Sequence, residues 1–292
     1  MVSPMVKRRI GMFEIVNYTV LLLFGFATLF PFINVIAKSM SGSSAVSSGK
    51  VFLLPLDFQL ETYRYILFKS TFLQSFMVTL LVTVSGTMLA MICTVLTAYP
   101  LSRSHFRGRK FFTVLYIFSM VFYGGMVPSY LLMKSLGLID KLFSLIIALL
   151  VSPFNMFVLK SYFEQLPESI EESARIDGAG DFQILSKIII PMSKPVLATV
   201  TMFYSVAYWN DYFHPMLFID SPANKPLQLF LYETVKSPET IIEQFSANNL
   251  VNISIDGITS TAVVCATIPI ILLYPLVQRY LMSGMTIGAV KE

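Results

Sequence analysis

The stretch EESARIDGAGDFQILSKIIIP, residues 171–191, is charged and amphipathic in a chain that is otherwise strongly apolar. Pro167 precedes it and suits the first turn of a helix, and the glutamates that follow suit the positive end of a helix dipole. Gly178 is a natural helix stop, and Asp181 can cap a second short helix that Pro191 ends. The stretch therefore predicts two short helices joined by a turn at Gly178. The second helix is predicted from Phe182 to about Ile189, with Phe182, Leu185 and Ile189 on one face.

The composition of the rest of the chain is that of a membrane protein. The chain has 292 residues, of which 55% are hydrophobic and 13% are charged, whereas soluble domains carry roughly 25% charged residues. The net charge of +4 comes from basic residues spread between apolar stretches, not from one patch, which excludes a nucleic-acid partner. Cys93 and Cys265 both lie in apolar runs and are interpreted as packing residues.

Six apolar stretches approach the roughly 20 residues that a helix needs to cross a bilayer. They are residues 16–37, 72–99, 111–133, 142–159, 196–219 and 258–277. The basic connection SRSHFRGRK, residues 102–110, indicates the cytoplasmic side, because cytoplasmic loops are enriched in Lys and Arg. The sequence predicts an all-α polytopic membrane protein with six transmembrane helices, both termini in the cytoplasm, and outer loops at about 38–71 and 220–257.

The predicted spans contain few groups that could do chemistry. Within them only Asp211 and His214 are ionisable, and both fall near the outer end of the fifth span. A proton- or ion-coupled carrier usually needs ionisable groups inside its spans, so this scarcity argues against such a mechanism. The enzyme motifs HExxH and GxSxG are also absent from the sequence. We therefore expect no catalytic residue and no metal site, and expect any energy to enter through a partner.

The charged stretch has a spacing that resembles a known motif. From Glu172 to Pro191 it runs E-S-A, three residues, G, nine residues, I, one residue, I-P. This resembles the EAA loop of permease subunits in ATP-binding-cassette (ABC) importers, which runs E-A-A, three residues, G, nine residues, I, one residue, L-P. The chain departs from that pattern at Ser173, in place of alanine, and at Ile190, in place of leucine. Both replacements are conservative in size.

Other segments resemble the maltose-importer type of permease. They are GKVFLLP at 49–55, WNDY at 209–212 and the tail GMTIGAVK at 284–291. The resemblance implies a type I ABC importer permease fold with a single transmembrane permease domain over residues 1–292. It also implies a cytoplasmic coupling loop at about 164–194 and a multi-pass location in a bacterial cytoplasmic membrane.

The resemblance also implies partners for this chain. They are a second permease subunit in a heterodimer, two cytoplasmic ATP-binding subunits, an extracellular or periplasmic sugar-binding protein, and membrane lipid. This chain itself is expected to bind no cofactor, because ATP and Mg would be held by the ATP-binding subunits. The expected ATPase-coupling residues are Glu171, Glu172, Ala174, Arg175, Asp177, Gly178, Ala179 and Pro191. Among them Glu172 takes the place of the family glutamate that faces a basic residue of the ATPase.

Two interpretations of the loop remain open from its own chemistry. A stiff segment fixed to two spans by prolines could transmit the movement of an ATPase as a rigid body. An amphipathic connector could instead rest on lipid headgroups, with its glutamates solvated. The spacing of the motif favours the first interpretation.

The end of the fifth span is a candidate substrate path. Its aromatic and polar residues could contact an oligosaccharide, or the aromatic ones could lie at the membrane interface for ordinary amphipathic reasons. The candidates are Tyr204, Tyr208, Trp209, Asn210 and Asp211. The following outer loop, with the possible amphipathic element LQLFLYETV at 227–235, could reach a sugar-binding protein or pack as a lid. The tail after Arg279 could contact the ATP-binding subunits or be solvated.

The sequence therefore predicts a non-catalytic permease subunit of an ATP-driven, binding-protein-dependent importer of oligosaccharides. One alternative is a stand-alone secondary carrier or channel for small polar solutes, which would take up solute without ATP. A membrane scaffold or enzyme is a third class, and no catalytic constellation supports it. The sequence does not name the sugar.

Overall fold

The computed structural model of the protein describes residues 11–68, 70–236, 254–269 and 271. These residues form helices and connections, with no strand among them. The chain divides into two compact units, which are described separately. The first contains Met1–Ser70 and Ser237–Cys265, and the second contains Thr71–Lys236 and Ala266–Glu292.

The first unit begins with α1, Met12–Ser39, a helix of 28 residues that is apolar and long enough to cross a membrane. Two short helices follow it, α2 at Ser43–Ser47 and α3 at Glu61–Phe68, inside the predicted outer loop. The amide of Asn34 donates hydrogen bonds to the carbonyl oxygens of Val51 and Phe52, at 3.0 and 2.7 Å. These bonds tie the connection between α2 and α3 back to α1.

The second unit is built around α4, Phe72–Ser102, a helix of 31 residues. The helices that follow it are α5 at Arg109–Val121, α6 at Met126–Ser135, α7 at Leu142–Ala148, α8 at Pro153–Glu164, α9 at Glu168–Ile176, α10 at Asp181–Met192, α11 at Lys194–Asn210, α12 at Phe213–Phe218 and α13 at Leu227–Lys236. A last helix, α14 at Ile255–Pro269, has residues in both units.

The core of the second unit lies where α4 packs against α8 and α11. The ring of Tyr208 lies directly against Gly86, where an added Cβ would come within 2.6 Å of the ring. The hydroxyl of Tyr208 donates to the carbonyl oxygen of Ile146 at 2.7 Å. A small residue in α4 therefore lets α11 approach closely, and the polar end of the tyrosine is satisfied inside the core.

Several segments predicted as single spans are bent. Two straight helices, α1 and α4, can each cross a membrane, and three bent pairs bring the number of candidate spans to five among the described residues. The bends are 117° between α5 and α6, 52° between α7 and α8, and 86° between α10 and α11. These breaks correct two predicted continuous spans: 111–133 is interrupted at residues 122–125, and 142–159 is interrupted at residues 149–152.

The last two predicted spans also differ from the structure. The predicted fifth span, 196–219, is divided into α11 and α12 by the unwound pair Asp211 and Tyr212. The predicted sixth span, 258–277, coincides with α14 in its first half, and its part beyond residue 271 lies outside the described residues. Apolar composition predicts that a segment is compatible with lipid, but it does not predict that the helix is straight.

Candidate functional site

The charged stretch folds as two short helices joined by a turn, which confirms the prediction. The first helix, α9, begins directly after Pro167, and Gly178 then takes a positive φ of +82°. The second, α10, has Gly180 as its N-cap and ends at Met192, so it continues beyond the predicted end near Ile189, and Pro191 lies inside it instead of ending it. Asp181 is therefore the first residue of α10 and not its cap. Its carboxylate forms an ion pair with Arg175 at 2.6 Å, which braces the turn.

The buried face of α10 differs from the predicted one. Ile184, Leu185 and Ile189 are buried, whereas Phe182, which was predicted to share their face, has 74% of its surface exposed. A π-helical turn at Leu185–Ile189 shifts the helical register, so Ile184 takes the inward position instead of Phe182. Ile176, at the end of α9, is 87% exposed. Two large apolar side chains therefore stand on the outer surface of this segment.

Arg103 and Glu171 form a buried ion pair beneath α9. Their side chains are only 5% and 6% exposed. A second guanidinium nitrogen of Arg103 donates to the carbonyl oxygen of Phe163 at 2.9 Å, and the hydroxyl of Tyr99 donates to the Glu171 carboxylate at 3.3 Å. The guanidinium carbon of Arg103 lies 5.1 Å from the centre of the Tyr99 ring. Both charges are thus held by at least two partners.

The buried ion pair lies where three helix ends meet. Arg103 follows the last residue of α4, and its partner Phe163 is the penultimate residue of α8. Glu171 lies in the first turn of α9. A positive charge is favoured at the negative C-terminal end of a helix, and a negative charge is favoured at the positive N-terminal end. Each member of the pair is therefore stabilised by the helix ends around it.

Sequence reasoning missed the role of Arg103. It was counted among the basic residues of the connection 102–110, which indicated the cytoplasmic side. The local signal is its position directly after α4, before the more exposed residues Arg107 and Lys110. Nothing in the local sequence points to Glu171, because the two residues are far apart along the chain.

A second ion-pair cluster lies beside the first. Arg109 at the start of α5 pairs with Glu164 at the end of α8, and Lys160 pairs with the same carboxylate at 2.7 Å. The Nε of Arg109 also donates to the carbonyl oxygen of Leu101 at 3.0 Å. This cluster is more exposed than the buried ion pair and ties the beginning of α5 to α4 and α8.

The remaining predicted coupling residues form the outer surface of α9 and the turn. Glu172, Arg175, Asp177 and Gly178 are exposed, and so is Pro191. Ala174 and Ala179 are partly buried and pack against the core. Beside α9 lies an open depression of about 290 Å³. It is lined by Arg103, His105, Glu168, Glu171, Glu172 and Arg175.

Two of the predicted substrate-path residues lie in the interior. Tyr204 is 1% exposed, and its hydroxyl makes hydrogen bonds with Thr94 at 2.7 Å and with the backbone N–H of Ser152 at 3.1 Å. Tyr208 is 4% exposed and bonds to Ile146 as described above. The structure therefore brings these two tyrosines together on one face of α11, and that face is turned towards α4, α7 and α8.

The other three candidates lie at the end of α11. Trp209 is 8% exposed and makes an edge contact with Phe76, with ring centres 5.9 Å apart. Asn210 is exposed, and its amide oxygen accepts from the side chain of Gln228 at 3.4 Å. The carboxylate of Asp211 accepts from the backbone N–H of His214 and lies 2.9 Å from the His214 ring. Asn210 and Asp211 are the more accessible members of the set.

The first part of the predicted outer loop 220–257 is attached to the connection before α7. Asp140, in the connection before α7, accepts hydrogen bonds from the backbone N–H groups of Asp220 and Ser221, at 3.2 and 2.9 Å. The bonds from Ser221, more than those from Asp220 and Asn224, lower the pKa of Asp140 below its ordinary value. These contacts attach the loop after α12 to the connection before α7.

The predicted amphipathic element 227–235 is confirmed as the helix α13. The backbone N–H of Leu227 donates to the hydroxyl of Thr79 in α4 at 2.7 Å. The rings of Tyr212 and Tyr232 stack with their centres 5.4 Å apart. Residues 237–253 of the predicted outer loop, and the tail after Arg279, lie outside the described residues.

The described residues contain no group of three or more His, Cys, Asp or Glu side chains arranged to hold a metal ion. What the structure presents instead is a pair of exposed short helices at one end of the α4, α8 and α11 core. The buried ion pair of Arg103 and Glu171 fixes α9 to that core. This exposed pair of helices is therefore the candidate site for contact with a partner protein.

Comparison with known proteins places this arrangement in context. Residues 86–287 match the family described as "Binding-protein-dependent transport system inner membrane component". The chain is 40% identical to Protein LplC of Bacillus subtilis (strain 168), over 96% of this chain and 95% of that protein. It is 37% identical to the polygalacturonan/rhamnogalacturonan transport system permease protein YtcP of the same organism, over 96% of this chain and 98% of that protein.

A solved structure is similar over nearly the whole chain. It is the crystal structure of a bacterial ABC transporter involved in the import of the acidic polysaccharide alginate. One of its chains superposes with a TM-score of 0.88 and 37% sequence identity, covering 95% of this chain and 99% of that chain.

Proposed function

Because this chain belongs to the family of binding-protein-dependent transport system inner membrane components, we propose that it is the permease subunit of an ATP-driven oligosaccharide importer. Its partners would be a second permease subunit, two cytoplasmic ATP-binding subunits and an extracellular or periplasmic sugar-binding protein. The chain lies in the cytoplasmic membrane of a bacterium. In this proposal both termini and the segment formed by α9 and α10 face the cytoplasm, and one permease domain includes both units.

The observation that carries the proposal is the geometry of α9 and α10. The inner face of this segment is buried against α4 and α8, and its outer face presents Glu172, Ile176 and Phe182 to a partner. The positive φ at Gly178 and the ion pair between Arg175 and Asp181 fix the turn between the helices. An ATP-binding subunit that docks here pushes on a braced segment, and a braced segment moves as a unit.

In this mechanism the chain itself breaks no covalent bond. Closure of the ATP-binding subunits on ATP draws the α9–α10 segments of the two permease subunits together and turns the cavity outward. Hydrolysis then lets the subunits separate and returns the cavity to the inside. The ligand of the ATP-binding subunits thus shifts a two-state equilibrium of the permease by binding one state more tightly.

The cargo proposed for this importer is an oligosaccharide derived from an acidic polysaccharide. The relative YtcP is named for polygalacturonan and rhamnogalacturonan, and the similar crystal structure is of a transporter for the acidic polysaccharide alginate. Asn210, which is exposed at the end of α11, and Asp211, whose carboxylate is 11% exposed and paired with His214, are proposed to contact hydroxyl groups of the sugar. Tyr204, Tyr208 and Trp209 are proposed to shape the wall of the path, because their side chains are held inside the protein.

Reconstitution tests the transport function. The complete complex in proteoliposomes, with its sugar-binding protein outside, should accumulate labelled oligosaccharide only when ATP is inside. Glu172→Lys should abolish co-purification of the ATP-binding subunit, because it reverses the charge on the proposed docking surface. Asp220→Lys, an exposed acid on the loop before α13, should leave that co-purification unchanged. Uptake by this chain alone without ATP would instead support a secondary carrier or channel.

Competition between sugars tests the cargo. Unlabelled oligogalacturonate should compete with the labelled cargo in the same proteoliposomes, and a neutral maltooligosaccharide of equal length should not. Direct binding of both sugars to the cognate sugar-binding protein gives an independent measurement. Equal competition by the two sugars would contradict an acidic cargo while leaving ATP-driven import intact.

A further inference from the structure

We propose that Arg103 and Glu171 are the positioning residues that transmit the movement of α9 directly to α4, and this inference rests on the function proposed above. Glu171, which the family resemblance places among the expected ATPase-coupling residues, then has a specific role. Glu171 does not touch the ATP-binding subunit. It holds α9 to the membrane helices from beneath, while its neighbour Glu172 faces the partner.

The difference in burial between the two neighbouring glutamates is the first argument. Both line the depression beside α9, but Glu171 is buried under the helix and Glu172 is exposed on its surface. Successive residues in a helix point in directions about 100° apart, so one turn of α9 can face two neighbours at once. The short helix therefore has a receiving side and an attached side within the same turn.

The second argument is the number of elements that the pair joins. Arg103 is continuous with α4 and donates to the carbonyl oxygen of Phe163 in α8, while Glu171 belongs to α9. Without this pair α9 is connected to the core by the backbone at Pro167, by the apolar face of the segment and by the turn into α10. The pair adds a direct connection from the docking helix to α4.

The third argument is that a charged pair fixes one geometry. Apolar contacts have no preferred direction, whereas a buried ion loses its partner if α9 shifts relative to α4. An unpaired buried charge is strongly unfavourable. The pair therefore favours joint movement of α9 and α4 over slippage between them. The hydrogen bond from Tyr99 to Glu171 and the contact of the Tyr99 ring with Arg103 restrict the relative positions of the two charged groups further.

The fourth argument is the position of α4, the helix that would receive the movement. α4 is the longest helix of the second unit among the described residues, and it packs against both α8 and α11. A displacement at its Arg103 end is carried along a packed core and not absorbed by a loop. The residues Tyr204 and Tyr208 of α11 bond or pack against α4 at Thr94 and Gly86. The link thus reaches the helix that ends in the proposed substrate path.

The experiment compares Glu171→Gln with Glu168→Gln in the complete complex. Both substitutions remove one carboxylate from α9, but Glu168 is exposed at the first residue of the helix. For Glu171→Gln the ATP-binding subunits should still co-purify and ATP should still be hydrolysed. The number of sugar molecules imported per ATP should fall by about 2- to 30-fold, the range found for substitutions within coupling networks. Glu168→Gln should keep the wild-type ratio.

The conservative variant Glu171→Asp separates positioning from simple stability. It keeps a carboxylate near Arg103, so its import ratio should lie above that of Glu171→Gln. If Glu171→Gln fails to accumulate in the membrane, the double variant Arg103→Met with Glu171→Leu removes both charges and leaves neither unpaired, an exchange that buried ion pairs often tolerate. The double variant should assemble and hydrolyse ATP with a reduced import ratio.

A wild-type import ratio in an assembled Glu171→Gln complex, or in the assembled double variant, would overturn the inference. Loss of ATPase attachment in Glu171→Gln would also overturn it, because that result would place Glu171 in the docking surface. Failure of the proposed function has a different signature, since the wild-type complex itself would then show no ATP-driven import.

Discussion

The two ends of α4 are held in different ways. At the coupling end, defined by Arg103, Phe163 and Glu171, a buried pair of opposite charges joins three helices. At the loop end, defined by Phe72, Thr79 and Leu227, α4 meets α13 through two contacts. The rings of Phe72 and Phe230 make an edge contact, and the backbone N–H of Leu227 donates a hydrogen bond to the Thr79 hydroxyl. The 31 residues of α4 place these ends about 46 Å apart at 1.5 Å per residue.

This difference indicates what each end can do. Contacts with backbone groups and aromatic rings hold a loop in place, and each contributes modestly to stability. A buried ion pair resists separation much more strongly, because each partner left alone is a desolvated charge. The coupling end is therefore suited to carrying force from a partner, and the loop end is suited to keeping a surface in position for one.

The difference between the two ends of α4 is tested most directly at Arg103. Arg103→Ala leaves the Glu171 carboxylate buried without its partner, so we expect the free energy of unfolding to fall by about 3–5 kcal/mol. Thermal or denaturant unfolding of the purified chain in detergent measures this change. Arg107→Ala, in the same connection but exposed, should stay within about 0.5 kcal/mol of wild type. Equal effects of the two substitutions would mean that the buried pair contributes no more than a surface charge.

A smaller effect is expected at the turn between α9 and α10. Gly178 has a φ of +82° and no neighbouring atom within 4 Å of an added Cβ, so the cost of Gly178→Ala is conformational and should be about 1–2 kcal/mol. Gly180 has an equally open surrounding but a φ of −77°. Gly180→Ala should therefore cost less than Gly178→Ala, because only Gly178 has to hold a left-handed backbone conformation.

Both glycine variants are measured by unfolding and by co-purification of the ATP-binding subunit. Gly178→Ala should weaken co-purification because it disturbs the angle between α9 and α10, and Gly180→Ala should not. A penalty of equal size at the two positions would show that the backbone conformation at Gly178 is not what fixes the turn.

Short-range sequence signals correctly predicted the two helices α9 and α10 and the turn between them. Proline before α9, acidic residues in its first turn and glycine after it are signals that act within a few residues, and the structure has both helices and the turn at Gly178. The same signals failed at Phe182, because a π-helical turn changes the register and has no simple local signature. They also failed for the breaks in the apolar spans, since composition does not encode straightness.

The buried ion pair could not be predicted from the sequence. Glu171 is 72 residues from its hydrogen-bond partner Tyr99. Its ion pair with Arg103 forms only because α8 and α9 fold back to the end of α4. A basic residue after an apolar span reads as a surface charge by the positive-inside rule, and that rule does not distinguish an exposed arginine from one that is paired beneath a helix. The interior position of Tyr204 and Tyr208 has the same cause, since helical spacing gives a shared face but not the partner of that face.

The smallest effect is expected beyond the loop end, at Asp140. Its carboxylate accepts two backbone hydrogen bonds, and the pKa of Asp140 is lowered from 3.8 in the folded protein, chiefly by the bonds from Ser221. A lowered folded-state pKa adds stability that is fully present above pH 3.8 and is lost as the pH falls through the lower folded-state value. Wild type should therefore lose more stability than Asp140→Asn in an unfolding scan from about pH 6 to about pH 3.

The matched control for this scan is Asp220→Asn. Asp220 contributes its backbone N–H to the contact, not its carboxylate, so this variant should keep the acid loss of stability seen in wild type. Asp140 is only partly buried, so the difference between wild type and Asp140→Asn should be small beside the effect of Arg103→Ala. If Asp140→Asn and wild type lose stability in parallel, the backbone hydrogen bonds do not favour the charged form. The loop after α12 would then be held by neutral hydrogen bonds and packing, without help from a charge, whereas the coupling end is held by a buried ion pair.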